Sequence, residues 1–296
     1  MNINKQLLPQ VKNKISYIYI EMAKITQKEY SIICIRKEEE FVIPIAQISC
    51  MILGIGTSIT QEAIKIISEY GCSIVWMGRN LNYFYTYGIP LTNSSKNILI
   101  QTKCYESKTL QILVIRKMYE IRYPNEKLKS RTKEELLGIE GKKMQDFYIT
   151  LANKYNVEWK ERIYHIKDFD NQDDINKAIT ISNQFLYSIT TAVIVSLGFS
   201  TAIGFIHTGK MMSFVYDIAD LYKETFTIPI AFEIISKKDY EPSKLNKIIS
   251  EKLYEKIVKE KLLKRMVKDI SKIFTLKEYD IKCEIDIKEE IEFEKI

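Results

Sequence analysis

The sequence predicts an α+β protein. A small β-rich domain with one packed helix occupies residues 1–90, a larger all-helical domain residues 91–279, and an acidic tail residues 280–296. Three observations carry this. The first ninety residues hold short runs rich in Ile, Val and Tyr, the residue types that pleated, half-buried strands favour. After Pro90 the apolar residues recur at helical spacing. From Ala178 to Gly209 there is no charged residue, and a helix that avoids charge on every side is the central helix of a helical domain.

The elements follow in order. "ISYIYIE" (15–21), "YSIICIRKE" (30–38) and "EFVIPIAQISCMIL" (40–53) read as strands. In "SITQEAIKIISEYG", Ser58 or Thr60 is placed to cap a helix, Ala63, Ile64, Ile66 and Ile67 give it an apolar face, and Gly71 stops it. "CSIVWMG" and "NYFYTYG" are strands on either side of an Arg79–Asn80 turn. Residues 95–124 read as one helix ended by Pro124, followed by a basic loop. Thr132 with Glu135 three residues on is a capping box at the start of the next helix. Acids open the uncharged helix and Gly198 closes it, and residues 242–274 are helical again. The tail "DIKCEIDIKEEIEFE" alternates apolar and charged residues like a strand, although its seven acids against three lysines also suit a disordered segment.

Composition narrows the function classes. Hydrophobic content of 46% with 28% charged residues is that of a globular protein, and no basic leader with an apolar core reads as a secretory signal. The five cysteines are odd in number, widely spaced and form no Cys-x-x-Cys, which argues against a disulfide framework or zinc module and favours a reducing cytoplasm. Residues 178–209 are long enough to span a bilayer, but their many Ser and Thr and the glycines 198 and 204 favour a buried core helix, so no membrane association is expected. Net charge is +6, with nine bases against three acids in residues 103–133 and ten against four in residues 244–272. Two basic stretches suggest a polyanion, nucleic acid first; solvated helix faces are the alternative.

One constellation carries chemistry. Asp217 and Asp220 stand three apart in "SFVYDIADLYK", on one face if the segment is helical, with Ser213 as a candidate cap. His207, one of two histidines, precedes them in "GFIHTG". Glu140 in "LLGIEGKKMQDFY" lies where the apolar stripe of its helix turns inward, a costly place for an unpaired carboxylate. Carboxylates with one imidazole suit Mg²⁺ or Mn²⁺; a structural histidine and a solvated acid pair are the alternatives.

"LLGIEG", "IGFIHTGK" and "SFVYDIAD", in that order, resemble the CRISPR-associated adaptation integrases, the first-numbered Cas proteins, and "GTSITQEAIKIISEYGCSIVWMG" and "IRKMYEIRYP" extend the likeness. It covers about residues 14–235 and is most similar to the type I-E branch. The resemblance implies a β-sandwich-like N-terminal domain, a helical C-terminal catalytic domain, a homodimer, and a Mg²⁺- or Mn²⁺-dependent DNA endonuclease and integrase. It also implies double-stranded DNA (spacer precursor and repeat) and a dimer of the second-numbered adaptation protein as partners. The ligands then fall on Glu140, His207 and Asp220, with Asp217 an accessory catalytic acid. Lys65, Arg116, Lys117, Arg122, Lys127, Lys129, Arg131, Lys210 and Tyr216 are the candidate DNA-backbone contacts, with Tyr187 a DNA-binding candidate that lines the site. The chain departs from relatives at Ser58, where some place an arginine, at Tyr83, where a basic residue reads the motif, and at Met22, where a tyrosine brackets the duplex end. A catalytically silent DNA-binding scaffold of a spacer-capture complex is the alternative function; it has no use for an intact ligand set.

Overall fold

The computed structural model describes residues 16–78, 83–91, 94–126, 131–163 and 172–275. The Arg79–Asn80 turn, Lys127, Lys129 and the 280–296 tail lie outside the described residues. The chain runs β1 (Ser16–Ile20), β2 (Lys24–Lys28), β3 (Ser31–Arg36), β4 (Glu39–Ile43), β5 (Ile48–Leu53), β6 (Ser58–Ile59), α1 (Gln61–Glu69), β7 (Ser73–Met77) and β8 (Phe84–Gly88). Helices follow: α2 (Lys96–Glu106), α3 (Lys108–Arg122), α4 (Lys133–Tyr155), α5 (Asp174–Ser196), α6 (Ser213–Asp220), α7 (Ile228–Ser236), α8 (Leu245–Lys259) and α9 (Leu262–Phe274).

The strands form two four-stranded sheets, ordered β1-β5-β7-β8 and β4-β3-β2-β6. In the first, β1, β5 and β7 are parallel and β8 closes the edge antiparallel. Parallel strands are buried on both faces, and the period of two assigns each face its partner. Met51, Leu53 and Ile74 face the second sheet and α1, joining Ile25, Ile32, Ala63 and Ile67. Cys50, Ile52, Val75 and Met77 face the other way and are continuous with the core of the helices. The α+β expectation, sheets first and helices after, holds.

Several boundaries differ from those the sequence suggested. The run 40–53 is two strands, because Pro44 and a 3-10 turn at Ile45–Gln47 separate β4 from β5. Strand β2 has no clear signal, since its burial is confined largely to Ile25. The helix expected over 95–124 breaks at Ser107, whose extended backbone and side chain cap α3 through Leu110 N. Thr60, not Ser58, caps α1, and Thr132 with Glu135 forms the capping box of α4.

Helix α5 is the centre of the helical part, touching α6, α7, α8, α9 and strands β5, β7 and β8. It is long and apolar enough to cross a membrane, yet 89% of its most apolar window is buried inside the protein. Two of its hydroxyls are absorbed within the helix, Ser182 donating to Ala178 O (2.7 Å) and Thr191 to Tyr187 O (2.8 Å). The chain leaving α5 is held by α2, where buried Gln101 donates to Ser200 O (3.0 Å) and Ile203 O (2.8 Å) and accepts from Ser200 N (2.8 Å). That bracket delivers residues 204–212 to the mouth of the site.

Candidate metal centre

The turn ahead of His207 admits only glycine at position 204. A Cβ there would lie 2.2 Å from His207 O and 2.8 Å from the Ser213 backbone. Its compactness leaves the N–H groups of residues 205–207 pointing together, and one side chain collects them. Asp217 Oδ2 accepts from Phe205 N (2.6 Å) and Ile206 N (3.1 Å), and Oδ1 from His207 N (2.8 Å). Asp217 Oδ1 also meets the His207 ring at Nδ1 (2.8 Å). A fully buried carboxylate is tolerable because it is satisfied on both oxygens.

The bond to Asp217, working against partial burial and aided by Asp220, holds the His207 pKa above its ordinary value. With Nδ1 committed to Asp217, Nε2 is directed to Asp220, whose Oδ2 lies 3.9 Å away. This is the arrangement by which a carboxylate orients a ligating imidazole. Asp217, the accessory acid of the resemblance, here holds the His207 ring and the loop amides. Ser213 does not cap through the helix N–H groups; it is the first residue of α6 and its hydroxyl bonds with Lys210 N and O.

Glu140 comes from the middle of α4 and shares a narrow pocket with Asp217, Asp220, Tyr119 and Arg122. Tyr119 donates to its Oε2 and Arg122 Nη1 to its Oε1. Arg122 spans two acids, its Nε meeting Glu224 Oε1 at 2.8 Å, where Tyr123 OH also donates (2.9 Å). Burial opposes the Arg122 charge, but Glu140 foremost more than offsets it and keeps the pKa high. Glu224 and Lys223 open a π-helical turn (Lys223–Thr227) just past α6, a local irregularity that recurs at functional sites. The Lys223 ammonium meets Asp220 Oδ1 and lies 4.9 Å above the Tyr187 ring. Burial opposes its charge as well, and Asp220 again outweighs the cost.

Four of the expected residues, Glu140, His207, Asp217 and Asp220, thus stand around one place. Among the described residues, no three His, Cys, Asp or Glu side chains stand at metal-binding spacing; Glu140 is paired with Arg122 and Asp220 with Lys223. The donor atoms available to a hard cation are the Glu140 and Asp220 carboxylates and His207 Nε2. Tyr216 packs edge-on against His207 (5.8 Å, 69°) and Tyr187 (5.0 Å, 71°), so both tyrosines line the site.

The basic residues divide. Arg122 is a correction: with its side chain 6% exposed and paired to two acids, it belongs inside the site rather than on a DNA-facing surface. Arg116 spends Nε and Nη2 on Arg131 O (2.9 and 2.8 Å) and Lys117 donates to Thr275 O, so both tie the scaffold together. Arg131 is exposed and paired with Glu135 (3.2 Å), while Lys65 and Lys210 are exposed. Sequence reasoning missed Tyr119, Lys223 and Glu224. The spacing of Lys223 and Glu224 from Asp220, three and four residues, was a usable signal.

A family model described as CRISPR associated protein Cas1 matches residues 16–127 and 113–272. The CRISPR-associated endonuclease Cas1 of Clostridium sp. (strain SY8519) is 35% identical over 271 residues, covering 92% of this chain and 90% of that protein. The CRISPR-associated endonuclease Cas1 of Escherichia coli (strain K12) is 35% identical over 235 residues, covering 79% of this chain and 77% of its own length. Among solved structures, the TtCas1–DNA complex superposes with a TM-score of 0.80 at 33% identity, over 90% of this chain and 99% of that one. The order of sheets and helices, the motifs around Glu140, His207 and Asp220, and these matches agree, and the chain belongs to the Cas1 family.

Proposed function

We propose that this chain is a divalent-metal-dependent DNA endonuclease and integrase of CRISPR adaptation, with Glu140, His207 and Asp220 as the Mg²⁺ or Mn²⁺ ligands. The observation that carries the reading is the orientation of His207: Asp217 holds Nδ1, and Nε2 faces the Asp220 carboxylate at 3.9 Å in a pocket shared with Glu140. The donor set fits a hard cation. Charge supports it too. Glu140, Asp217, Asp220 and Glu224 face two fixed cations, Arg122 and Lys223, leaving two negative charges for a divalent ion to balance.

In strand transfer, a 3′-hydroxyl of the captured fragment attacks a phosphorus at the repeat edge. One P–O bond forms, the bond to the displaced 3′-oxygen breaks, and the number of phosphodiesters is unchanged. A bound cation supplies a lowered nucleophile pKa and neutralises charge on the pentavalent phosphate. The protein's own part is to hold the ligands and shield the site. Asp217 fixes the imidazole ring, Arg122 and Tyr119 fix Glu140, and Tyr187 with Tyr216 walls off one side. Of the candidate basic residues, Lys65, Lys210 and Arg131 are exposed and would meet DNA phosphates, and the similar TtCas1–DNA complex supports DNA as the partner. A homodimer, and a dimer of the second adaptation protein, complete the proposed assembly.

The test is a strand-transfer assay with the purified chain, its small partner protein and Mg²⁺ or Mn²⁺. His207→Ala and Asp220→Ala should keep DNA binding and lose joining. The pairing of Glu140 with Arg122 and Asp220 with Lys223 favours a second reading, a DNA-binding scaffold whose acids are permanently neutralised. Parent protein that binds DNA but neither joins nor cleaves with either metal would select the scaffold.

A further inference from the structure

Helix α4 opens with a lysine where electrostatics disfavours one. Lys133 is its first residue, at the positive end of the helix macrodipole, beside Glu134 and Glu135, the residue types that end favours. What offsets this lies outside the helix. Lys133 Nζ donates to the carbonyl oxygens of Phe205 (2.8 Å) and Ile206 (3.2 Å), immediately ahead of His207. The N–H groups of Phe205, Ile206 and His207 all go to Asp217 on α6. Two peptide units are therefore held from both sides by opposite charges on different helices, Lys133 taking the carbonyls and Asp217 the amides. Backbone groups in a tight, half-buried turn have few other partners, and charged groups make the stronger bonds.

Lys133 also shares a helix with Glu140. Seven residues separate them, two turns along one face of α4. The ammonium bond thus ties the helix that carries one candidate ligand to the loop that carries another. We propose that Lys133 is a positioning residue that locks the His207 loop to α4 and so sets the imidazole against the Glu140 carboxylate. This rests on the metal reading above, and it assigns Lys133 no contact with metal or DNA.

The experiment uses the full chain with Lys133→Met and Lys133→Arg. In the metal-free protein, hydrogen exchange at the amides of residues 205–207 should speed up by about tenfold or more in Lys133→Met, while α5 amides stay at parent rates. Mn²⁺ alone, followed by electron paramagnetic resonance, should bind about 10- to 100-fold more weakly, the usual effect of losing a group that orients a ligand. Lys133→Arg, which keeps the charge and several donors, should recover most of both. At saturating Mn²⁺ the joining rate of Lys133→Met should return to within a few-fold of parent. Parent exchange rates and parent Mn²⁺ affinity in Lys133→Met would overturn the proposal. If that variant does not fold, Lys133→Gln takes its place with the same two readings. If the parent binds Mn²⁺ no more tightly than His207→Ala, the metal reading itself falls, and the exchange rates then report only that Lys133 holds the loop.

Discussion

Asp217→Asn keeps the shape of the side chain and removes its charge, and the structure sets the size of the loss. The carboxylate accepts four hydrogen bonds, two on each oxygen, from three backbone N–H groups and the His207 ring. An amide has one acceptor oxygen; with it toward Phe205 and Ile206, its NH₂ faces the His207 N–H, which is left unpaired at about 1–3 kcal/mol, while the His207 ring keeps a bond only by moving its proton to Nε2. The surviving bonds lose their charge assistance. The expected cost is about 3–6 kcal/mol, a large share of the roughly 5–15 kcal/mol that holds a domain folded. At roughly 2–4 °C per kcal/mol for large domains, the metal-free melting temperature should fall by about 6 °C or more. Thermal melts and urea titrations of parent, Asp217→Asn and Asp220→Asn measure this. Asp220 carries no backbone amides but is the counter-charge of Lys223, so Asp220→Asn should also lower the melting temperature, through that cation and without loosening the amides of residues 205–207. If Asp217→Asn melts within about 1 °C of the parent, the account of this carboxylate as the knot of the His207 loop is wrong.

Other outcomes follow from the same geometry. Gly204→Ala places a Cβ against His207 O and the Ser213 backbone, so it should destabilise the fold and abolish Mn²⁺ binding together; a parent-like melt with parent Mn²⁺ affinity would contradict the close approach. Arg122→Met leaves Glu140 and Glu224 without their shared cation and should cost about 3–5 kcal/mol, part of it recovered by adding Glu224→Gln; weakened DNA binding at unchanged stability would instead return Arg122 to a DNA-facing role. Replacing Lys65 and Lys210 together by Gln should lower duplex affinity at every sequence and reduce the salt slope by about two; an unchanged slope would remove both from the DNA interface. Mn²⁺ at a hundred times its Kd should stabilise the parent by about 2.7 kcal/mol and leave His207→Ala unmoved, which a calorimetric melt reads directly.

Much of the scaffold was legible because burial and pattern coincide. Helix α5 carries no charge between Ala178 and Ser196, and it is packed among α6, α7, α8, α9 and the strands β5, β7 and β8. Thr132 and Glu135 spell a capping box and form one. Where the pattern is thin, the reading thinned too: β2 buries little besides Ile25, and the Ser107 break interrupts a helical period without a proline or glycine to mark it. The site split along the same line. Glu140, His207 and Asp220 emerge through motifs, since spacing alone favours a structural histidine and solvated acids. Charge density in residues 103–133 could not say which bases face outward. Arg116, Lys117 and Arg122 turn to carbonyls and carboxylates because α3 is packed on both sides, a property of the fold and not of the segment.

That inward turn bears on why the site is charged at all. An ion pair kept in a protein interior for stability is a poor bargain, since apolar residues of similar volume do as well or better. Here Glu140, Arg122, Glu224, Asp220, Lys223 and Asp217 are all drawn to one place by four segments, α3, α4, α6 and the π-turn. Two of the acids, Asp217 and Glu224, each have a structural partner that uses them. Glu140 and Asp220 instead carry the cations Arg122 and Lys223 at short range, in the manner of ligands held ready by placeholders. On the proposed metal reading, a divalent ion would displace those contacts and leave Arg122 with Glu224 and Lys223 with the Tyr187 ring, both already within reach. Such an arrangement would stabilise the metal-free protein and free Glu140 and Asp220 without leaving a buried cation unpaired, which a network built for stability alone has no need to do.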